Sequence, residues 1–300
     1  LIDLHMHTTA SDGRLSPVEL VARAAAAGLT TISVTDHDTV AAIAEVTSAA
    51  SASGMRVVPG IEVTAVDQGR DVHMLGYFFD PGNELLARFL VNQRALRVSR
   101  VREIAARLAA LNMAVDVEAL LMSAAARPGS SVGRPQLARE LLRAGHVASV
   151  QEAFDLWLAT GRPAFVPRSG PSPAEVVQTI HAAGGVASFA HPGVTRRDEL
   201  VAPLAEQGLD AIEVYHSDHT VEDTAAYQRL AARLGILVSG GSDFHGEDAA
   251  AADPAKGRAG YAARKPRATL GVVTLPPHCL AALESKSERY AAGEGGPRPQ

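Results

Sequence analysis

Two histidines stand one residue apart at the end of an apolar run, in IDLHMH at residues 2–7. Side chains alternate across a strand, so His5 and His7 share one face and two imidazoles can grip one cation. Asp12 follows in a glycine-bearing loop, ASDG. Three more runs end in the same way. ISVTDHD (32–38) offers His37, VVPGIEV (57–63) offers Glu62, and LVSGGSDFH (237–245) offers Asp243 and His245 at the same i, i+2 spacing. His73 in DVHMLGYFF and His191 in VASFAHP lie in similar settings. Taken singly these have ordinary readings: a surface His-x-His, a core histidine, a turn aspartate. Together, six segments spread over most of the chain predict strand ends that converge on one polynuclear metal site. Glu62 has two oxygens with which to bridge two ions. A set of imidazoles and carboxylates without thiolate suits Zn, Mn or Fe. Asp36 and Asp38 flank His37 and read as orienters of imidazoles rather than ligands. His146, His181 and His278 lie away from strand ends and read as ordinary, and Cys279 has no partner pattern of a thiol nucleophile.

A second kind of chemistry is carried by arginine. Residues 88–107 hold six arginines and one acid, Glu103. Arg97 shares a helical face with Val101, Ile104, Leu108 and Leu111, and Arg100 borders it. An arginine on an inward stripe needs an anion, either a bound phosphate or a nearby Asp or Glu, because an unpaired buried charge is costly. Arg134 precedes Pro135 at a helix start, where backbone N–H groups also favour anions. Arginine's planar fork suits phosphate. EVYHSDH (213–219) ends another run. His216 there either contacts substrate and helps protonate a leaving group or is a rim histidine, and His219 is the weaker candidate.

The elements that must position these side chains alternate. Strands are predicted at Ile2–Leu4, about Thr31–Val34, Arg56–Val58, about Val72–Phe79, Val186–Phe189, Ala211–Tyr215 and Ile236–Val238, with a turn or bulge at Pro59-Gly60. Helices fall between them, the first opened by Ser16, Pro17 and Glu19 as a capping box and closed by Gly28. Residues 83–166 break the rhythm with mostly helical pattern and one short strand, AFV at 164–166. This predicts an α/β barrel of about seven parallel strands interrupted by a helical insert, with the ligand candidates at one mouth. The stretch 247–268 reads as a mobile loop, and the end from about Glu294 as disordered.

The chain has 300 residues, 47% of them hydrophobic, and a formal net charge of -5, which excludes a generally basic nucleic-acid coat. One cysteine excludes an intramolecular disulfide framework and points to a reducing compartment. No apolar run approaches the ~20 residues that span a bilayer. No signal-peptide pattern is visible, so the expected location is the cytoplasm.

At these residues the chain resembles the PHP (polymerase and histidinol phosphatase) superfamily of metal-dependent phosphoesterases. DLHMHTTASDG, VTDHDT, PGIEVTA, HMLGYF, FAHPG and GSDFHG match its blocks in order, over roughly residues 2–80 and 170–275. The resemblance implies a distorted seven-stranded barrel holding two or three divalent ions. It would assign His5, His7, Glu62 and Asp243 to the first ion. Glu62, His73 and His191 would hold the second, and Asp12, His37 and His245 the third. It implies a barrel from residues 1–82 and 167–285, a helical insert at 83–166 that caps the substrate, and a disordered tail at 286–300. VGRPQLARELLRAG and FDLWLATGRPAFVPR look like the insert of members acting on nucleotides, which include nucleoside 3′,5′-bisphosphate phosphatases and 5′-to-3′ exoribonucleases on short RNA. Gln136 departs from the histidine that many relatives carry there. The expected reaction is hydrolysis of a phosphate ester by a metal-bound hydroxide, with Arg134, Arg97 and Arg100 holding substrate phosphate. The expected partner is a small nucleotide or short 5′-phosphorylated RNA, with no membrane and no obligate protein partner. Rival readings are histidinol-phosphate phosphatase, a barrel amidohydrolase and a non-catalytic metal-binding module. An amidohydrolase bridged by carboxylated lysine is excluded from the barrel body, because no lysine precedes Lys256.

Overall fold

Eight strands form two sheets in the computed structural model, which describes residues 1–127, 129–246 and 269–292. Strands β1 (Ile2–Asp3), β2 (Thr31–Ile32) and β3 (Arg56–Val57) make a parallel three-stranded sheet. Strands β4 (Gly60–Asp67), β5 (Arg70–Tyr77), β6 (Val186–Phe189), β7 (Ala211–His216) and β8 (Leu237–Gly241) form the second sheet in that order. Both of its first two pairings, β4 with β5 and β5 with β6, are antiparallel, and the last two are parallel. Short contacts join the sheets on both sides. Leu4 N donates to Gly240 O and Met6 bridges to Phe244, while His37 bridges to Glu62.

The architecture therefore differs from a ring of seven parallel strands. Pro59-Gly60, read from sequence as a turn, instead opens β4. Glycine is required there because a Cβ on Gly60 would stand 1.9 Å from Ser33 Oγ. The segment 164–166 is not a strand. Ala164 and Val166 are buried because they pack into the helical core described next.

Helices α1 (Pro17–Ala26) and α2 (Ile43–Ser51) follow β1 and β2 and bury Leu20, Val21 and Val46 against the three-stranded sheet. The Ser16–Glu19 capping box forms, and Gly28 takes the left-handed φ of 79° past the helix end. Between β5 and β6 lie α3 (Glu84–Ala110), α4 (Val117–Ala125), α5 (Arg134–Arg143) and α6 (Val150–Ala153), the last running into a π-helical turn at Phe154–Leu158. These helices share a core of Val101, Ile104, Leu108, Leu121, Leu137, Leu141 and Leu158. The first turns of α3 pack elsewhere: Leu86 and Leu90 join the core under the five-stranded sheet. Helices α7 (Pro173–Ala182), α8 (Pro192–Thr195), α9 (Val201–Glu206) and α10 (Val221–Leu234) alternate with β6, β7 and β8.

Helix α11 (Pro277–Ala291) closes the described chain, so residues 286–291 are helical where the sequence suggested a tail. The loop expected at 247–268 and the end from residue 293 lie outside the described residues. Among the described residues, no helix is long and apolar enough to cross a membrane.

Helix α11 is anchored by Asp210, a buried carboxylate just before β7. It accepts from Ala187 N at 2.9 Å, His181 Nε2 at 2.7 Å and Tyr290 Oη at 2.5 Å. Burial pushes its pKa up, but His181 and Tyr290 outweigh burial and hold it below the usual range. A folded pKa below the unfolded one gives stability that is present above about pH 4 and lost as pH falls through the folded value. Asp210→Asn is expected to cost about 2 kcal/mol at pH 7. Urea melts should show that the difference between the two proteins shrinks below pH 4.

Candidate metal centre and arginine-lined cleft

Strand β1 and the extended residues after it send Leu4 and Met6 into the cores and His5 and His7 to the opposite side, both imidazoles fully buried. Strand β8 and its continuation lie alongside. A Cβ on Gly241 would meet His5 N at 2.3 Å, so only glycine permits this approach. Asp3 stitches the two together, accepting from His5 N at 3.2 Å and Ser242 N at 2.9 Å. Burial raises its pKa to about 6.

Across from these strands the β4–β5 hairpin places Thr64 opposite His73, and Glu62 lies diagonally from His73 on the same face. Glu62 is the hub. Its Oε2 lies 3.3 Å from His5 Nε2, 3.2 Å from His7 Nε2 and 3.2 Å from His37 Nδ1. Its Oε1 lies 2.7 Å from His73 Nδ1 and 3.0 Å from His191 Nε2. Asp243 Oδ1 stands 3.3 Å from His5 Nε2 and 3.2 Å from His7 Nε2. A second focus forms on Asp12, 3.2 Å from His245 Nε2, 3.8 Å from His37 Nε2 and 3.7 Å from His7 Nδ1. All nine candidates from the sequence thus meet in one place. His5, His7, Glu62 and Asp243 form one group, as the resemblance implied; His7 also joins Asp12, His37 and His245, and Glu62 and His73 group with His37, with His191 reaching Glu62 from beside them.

The donor atoms fit cations. Both ring nitrogens of His7, Nδ1 of His37 and of His73, and Nε2 of His216 are buried without a hydrogen-bond partner. Buried polar atoms are seldom left so. Ligands about 2.0–2.1 Å from a tetrahedral ion stand about 3.3–3.4 Å apart, close to the spacings around Glu62 Oε2 and Asp243 Oδ1. The electrostatics agree. Burial pushes the Glu62 carboxyl up, yet His37, His73 and His5 hold its pKa well below the usual range. Burial alone would lower the His7 pKa, yet the adjacent Asp243 and Glu62 carboxylates raise it to about 10. The pocket is built to hold positive charge.

Sequence reasoning missed the carboxylate behind the histidines. Glu213 Oε1 accepts from His5 Nδ1 at 2.8 Å and its Oε2 accepts from His191 N at 2.7 Å. The first bond leaves His5 Nε2 free to face the centre. The second helps hold His191 at a φ of 25°, in the left-handed region. Inward alternation on the run AIEVYH was the available signal. His216 lies beside this pair and forms a further group with His5 and Glu213. Its Nδ1 accepts from Asp218 N at 3.1 Å, which places its proton on Nε2, 3.6 Å from Asp243 Oδ2.

Neither aspartate beside His37 orients an imidazole, contrary to the sequence reading. Asp36 accepts from Thr8 N, Thr8 Oγ1 and Ser11 Oγ at 2.8, 2.6 and 2.6 Å and so shapes the Asp12 loop. Asp38, fully buried, pairs with Arg97 Nε at 2.5 Å and Arg168 Nη1 at 3.4 Å. The anion required by the inward-facing Arg97 is thus a protein carboxylate. Asp71 gathers Arg134 Nη2 at 3.0 Å, Arg100 Nη1 at 3.4 Å and Arg168 Nε at 3.8 Å. Burial opposes ionisation of Asp71, but Arg168, Arg100 and Arg134 hold its pKa down at about 2. Burial pushes Arg168 down to about 9. Four guanidinium groups against two carboxylates leave a cationic wall. Arg168, unassigned from sequence, sits at its centre.

A cleft of about 360 Å³ opens between this wall and the histidine–carboxylate floor. A larger groove of about 660 Å³ between α3 and α7, lined by Leu85, Phe89 and Gln93, touches none of the nine candidates.

Nine convergent imidazoles and carboxylates beside an arginine wall could hold metal ions, and the chain belongs to the PHP family. The PHP domain model matches residues 3–156. The chain is 36% identical to a 5′-3′ exoribonuclease of Haemophilus influenzae over 250 residues, 81% of this chain and 89% of the relative. It is 34% identical to a 3′,5′-nucleoside bisphosphate phosphatase of Chromobacterium violaceum, over 81% of this chain and 87% of the relative. Among solved structures, an amidohydrolase from Chromobacterium violaceum with bound sulfate and no metal superposes with a TM-score of 0.79 at 31% identity, covering 95% of this chain and 96% of that one.

Proposed function

We propose that the protein is a metal-dependent phosphoesterase that hydrolyses phosphate esters of nucleotides, with nucleoside 3′,5′-bisphosphates and short 5′-phosphorylated RNA as its substrate class. The observation that carries this reading is the two-sided cleft. Buried imidazole nitrogens without partners line one side, and four arginines line the other. A bisphosphate or an oligonucleotide end offers one phosphate to each. The names of the Haemophilus and Chromobacterium relatives support the same substrate class.

We read the two sheets and the bridges between them as a distorted barrel of the family type, with helices α3 to α6 as its substrate cap. His5, His7, Glu62 and Asp243 would hold one divalent ion, Glu62, His73 and His191 a second, and Asp12, His37 and His245 a third. Mn, Fe and Zn all suit this donor set. Bound ions would lower the pKa of water and draw charge from the phosphoryl oxygens. The protein's own groups do the rest. Arg134 and Arg168 orient the non-reacting phosphate, while Arg97 and Arg100 set the shape and charge of the wall. His216, whose Nε2 lies 3.6 Å from Asp243 Oδ2, is our candidate for protonating the departing oxygen.

The test is turnover of three substrates by protein loaded with Mn²⁺: adenosine 3′,5′-bisphosphate, a 5′-mononucleotide and a short 5′-phosphorylated oligoribonucleotide. Chelator should abolish turnover and added Mn²⁺ restore it. The mononucleotide, which lacks the second phosphate, should have a kcat/KM lower by about 10²-fold, the worth of one charge-assisted contact of about 2–3 kcal/mol. Equal turnover of all three, or activity indifferent to chelator, would sink the reading.

A further inference from the structure

The loop that carries Asp12 is held by the helical segment from the far side of the cleft. Four consecutive carbonyls of this loop accept hydrogen bonds, and every donor comes from residues 127–139. Arg127 Nη1 donates to Thr9 O at 2.7 Å, Ser131 N to Ala10 O at 2.8 Å and Gln136 Nε2 to Ser11 O at 2.5 Å. Arg139 Nη2 donates to Asp12 O. From the opposite side Asp36 holds Thr8 and Ser11, so the loop is fixed between two supports. Asp12 reaches His245, His37 and His7 only from this position.

We infer that Arg127, Ser131, Gln136 and Arg139 are positioning residues for one cation: by clamping residues 9–12 they set the affinity of the group formed by His7, Asp12, His37 and His245. This deepens the metal-centre reading above and rests on it. The physical reason is leverage at short range. Among the described residues, the Asp12 side chain meets the three imidazoles of its group and, besides them, accepts only from Ser11 Oγ at 3.3 Å. Its backbone therefore determines where its oxygens stand. The other acids of the centre, Glu62 and Asp243, ride on or beside the five-stranded sheet and receive no bond from this segment. The clamp is thus selective for one site. It also explains Gln136. Its Oε1 accepts from Gly133 N at 2.9 Å at the start of α5 while its Nε2 holds Ser11 O, so one amide caps the helix and ties the metal loop to it.

The experiment is a Mn²⁺ titration of metal-free, full-length protein, with free ion counted by electron paramagnetic resonance. Asp12→Ala first identifies the binding step that belongs to this group. Arg139→Ala and Arg127→Ala should each weaken that step by about tenfold, the usual effect of losing a group that orients a ligand. The remaining steps and the melting temperature should stay within error, and Arg139→Lys, which keeps one donor, should recover most of the loss. Unchanged binding in both arginine variants, or an equal weakening of every step, overturns the inference while leaving the metal centre intact. Failure of the wild-type protein to take up Mn²⁺ overturns the metal centre itself.

Discussion

Glu62→Ala is expected to abolish turnover, by about 10³-fold or more, equivalent to roughly 4 kcal/mol of barrier. Five imidazoles face this one carboxylate: three at Oε2 and two at Oε1. Its loss would remove the shared negative charge of two of the proposed ion sites at once, whereas Asp243 serves one. Metal content should therefore fall by two ions for one substitution. The matching control is Glu62→Gln, which keeps the volume and loses the charge. It should be almost as inactive, because an amide cannot balance two cations. A Gln variant with near-normal turnover and full metal content would show that Glu62 is packing rather than a bridge.

The largest effect on stability is expected at Asp38. It is fully buried, at a left-handed φ of 52°, and it carries the charge that neutralises Arg97 and helps neutralise Arg168. Its Oδ1 also accepts from Thr64 N at 3.0 Å, tying the loop after β2 to β4. Asp38→Asn keeps the shape and tolerates the backbone conformation, yet leaves buried Arg97 without its counter-charge and Arg168 with only Asp71 at 3.8 Å. Removing one partner of a buried ion pair costs about 3–5 kcal/mol. Denaturant melts in excess chelator, which silences any contribution from metal, should show this loss. The double variant with Arg97→Met should regain part of it. A loss below about 1 kcal/mol would mean that water already solvates these arginines.

Much of the site was legible in the chain because its ligands sit at the ends of apolar runs with i, i+2 spacing, and strand alternation converts that spacing into direction. His5 with His7 and Asp243 with His245 are read this way. What was hidden has physical reasons. Strand β4 begins at a Pro-Gly pair, which locally signals a turn. Only the close packing of Ser33 explains why glycine stands there. Two antiparallel pairings among the eight strands follow from the tight hairpin after Asp67, and hydrophobic pattern does not report strand direction. Glu213 looked like an ordinary polar residue within a strand, since its role depends on His5, 208 residues away. Arg97 was correctly seen to need an anion, but Asp38 supplies it through a fold contact that no local pattern encodes. Helices were read more reliably, as the Ser16 and Gly28 signals show, because caps act within a few residues.

The separations along the chain around Glu62 carry a consequence for biosynthesis. His5 lies 57 residues from it and His191 lies 129, while Asp243, the other acid of the group with His5 and His7, emerges only after β8. Closing longer loops costs more chain entropy, so the hairpin of β4 and β5 forms its contacts first and the Asp243 end docks last. A nascent polypeptide released before β8 would hold imidazoles but lack one of the acids that balance the ions. Full-strength cation capture would then wait for the segment after β8, so that metal retention reports on whether that segment has docked.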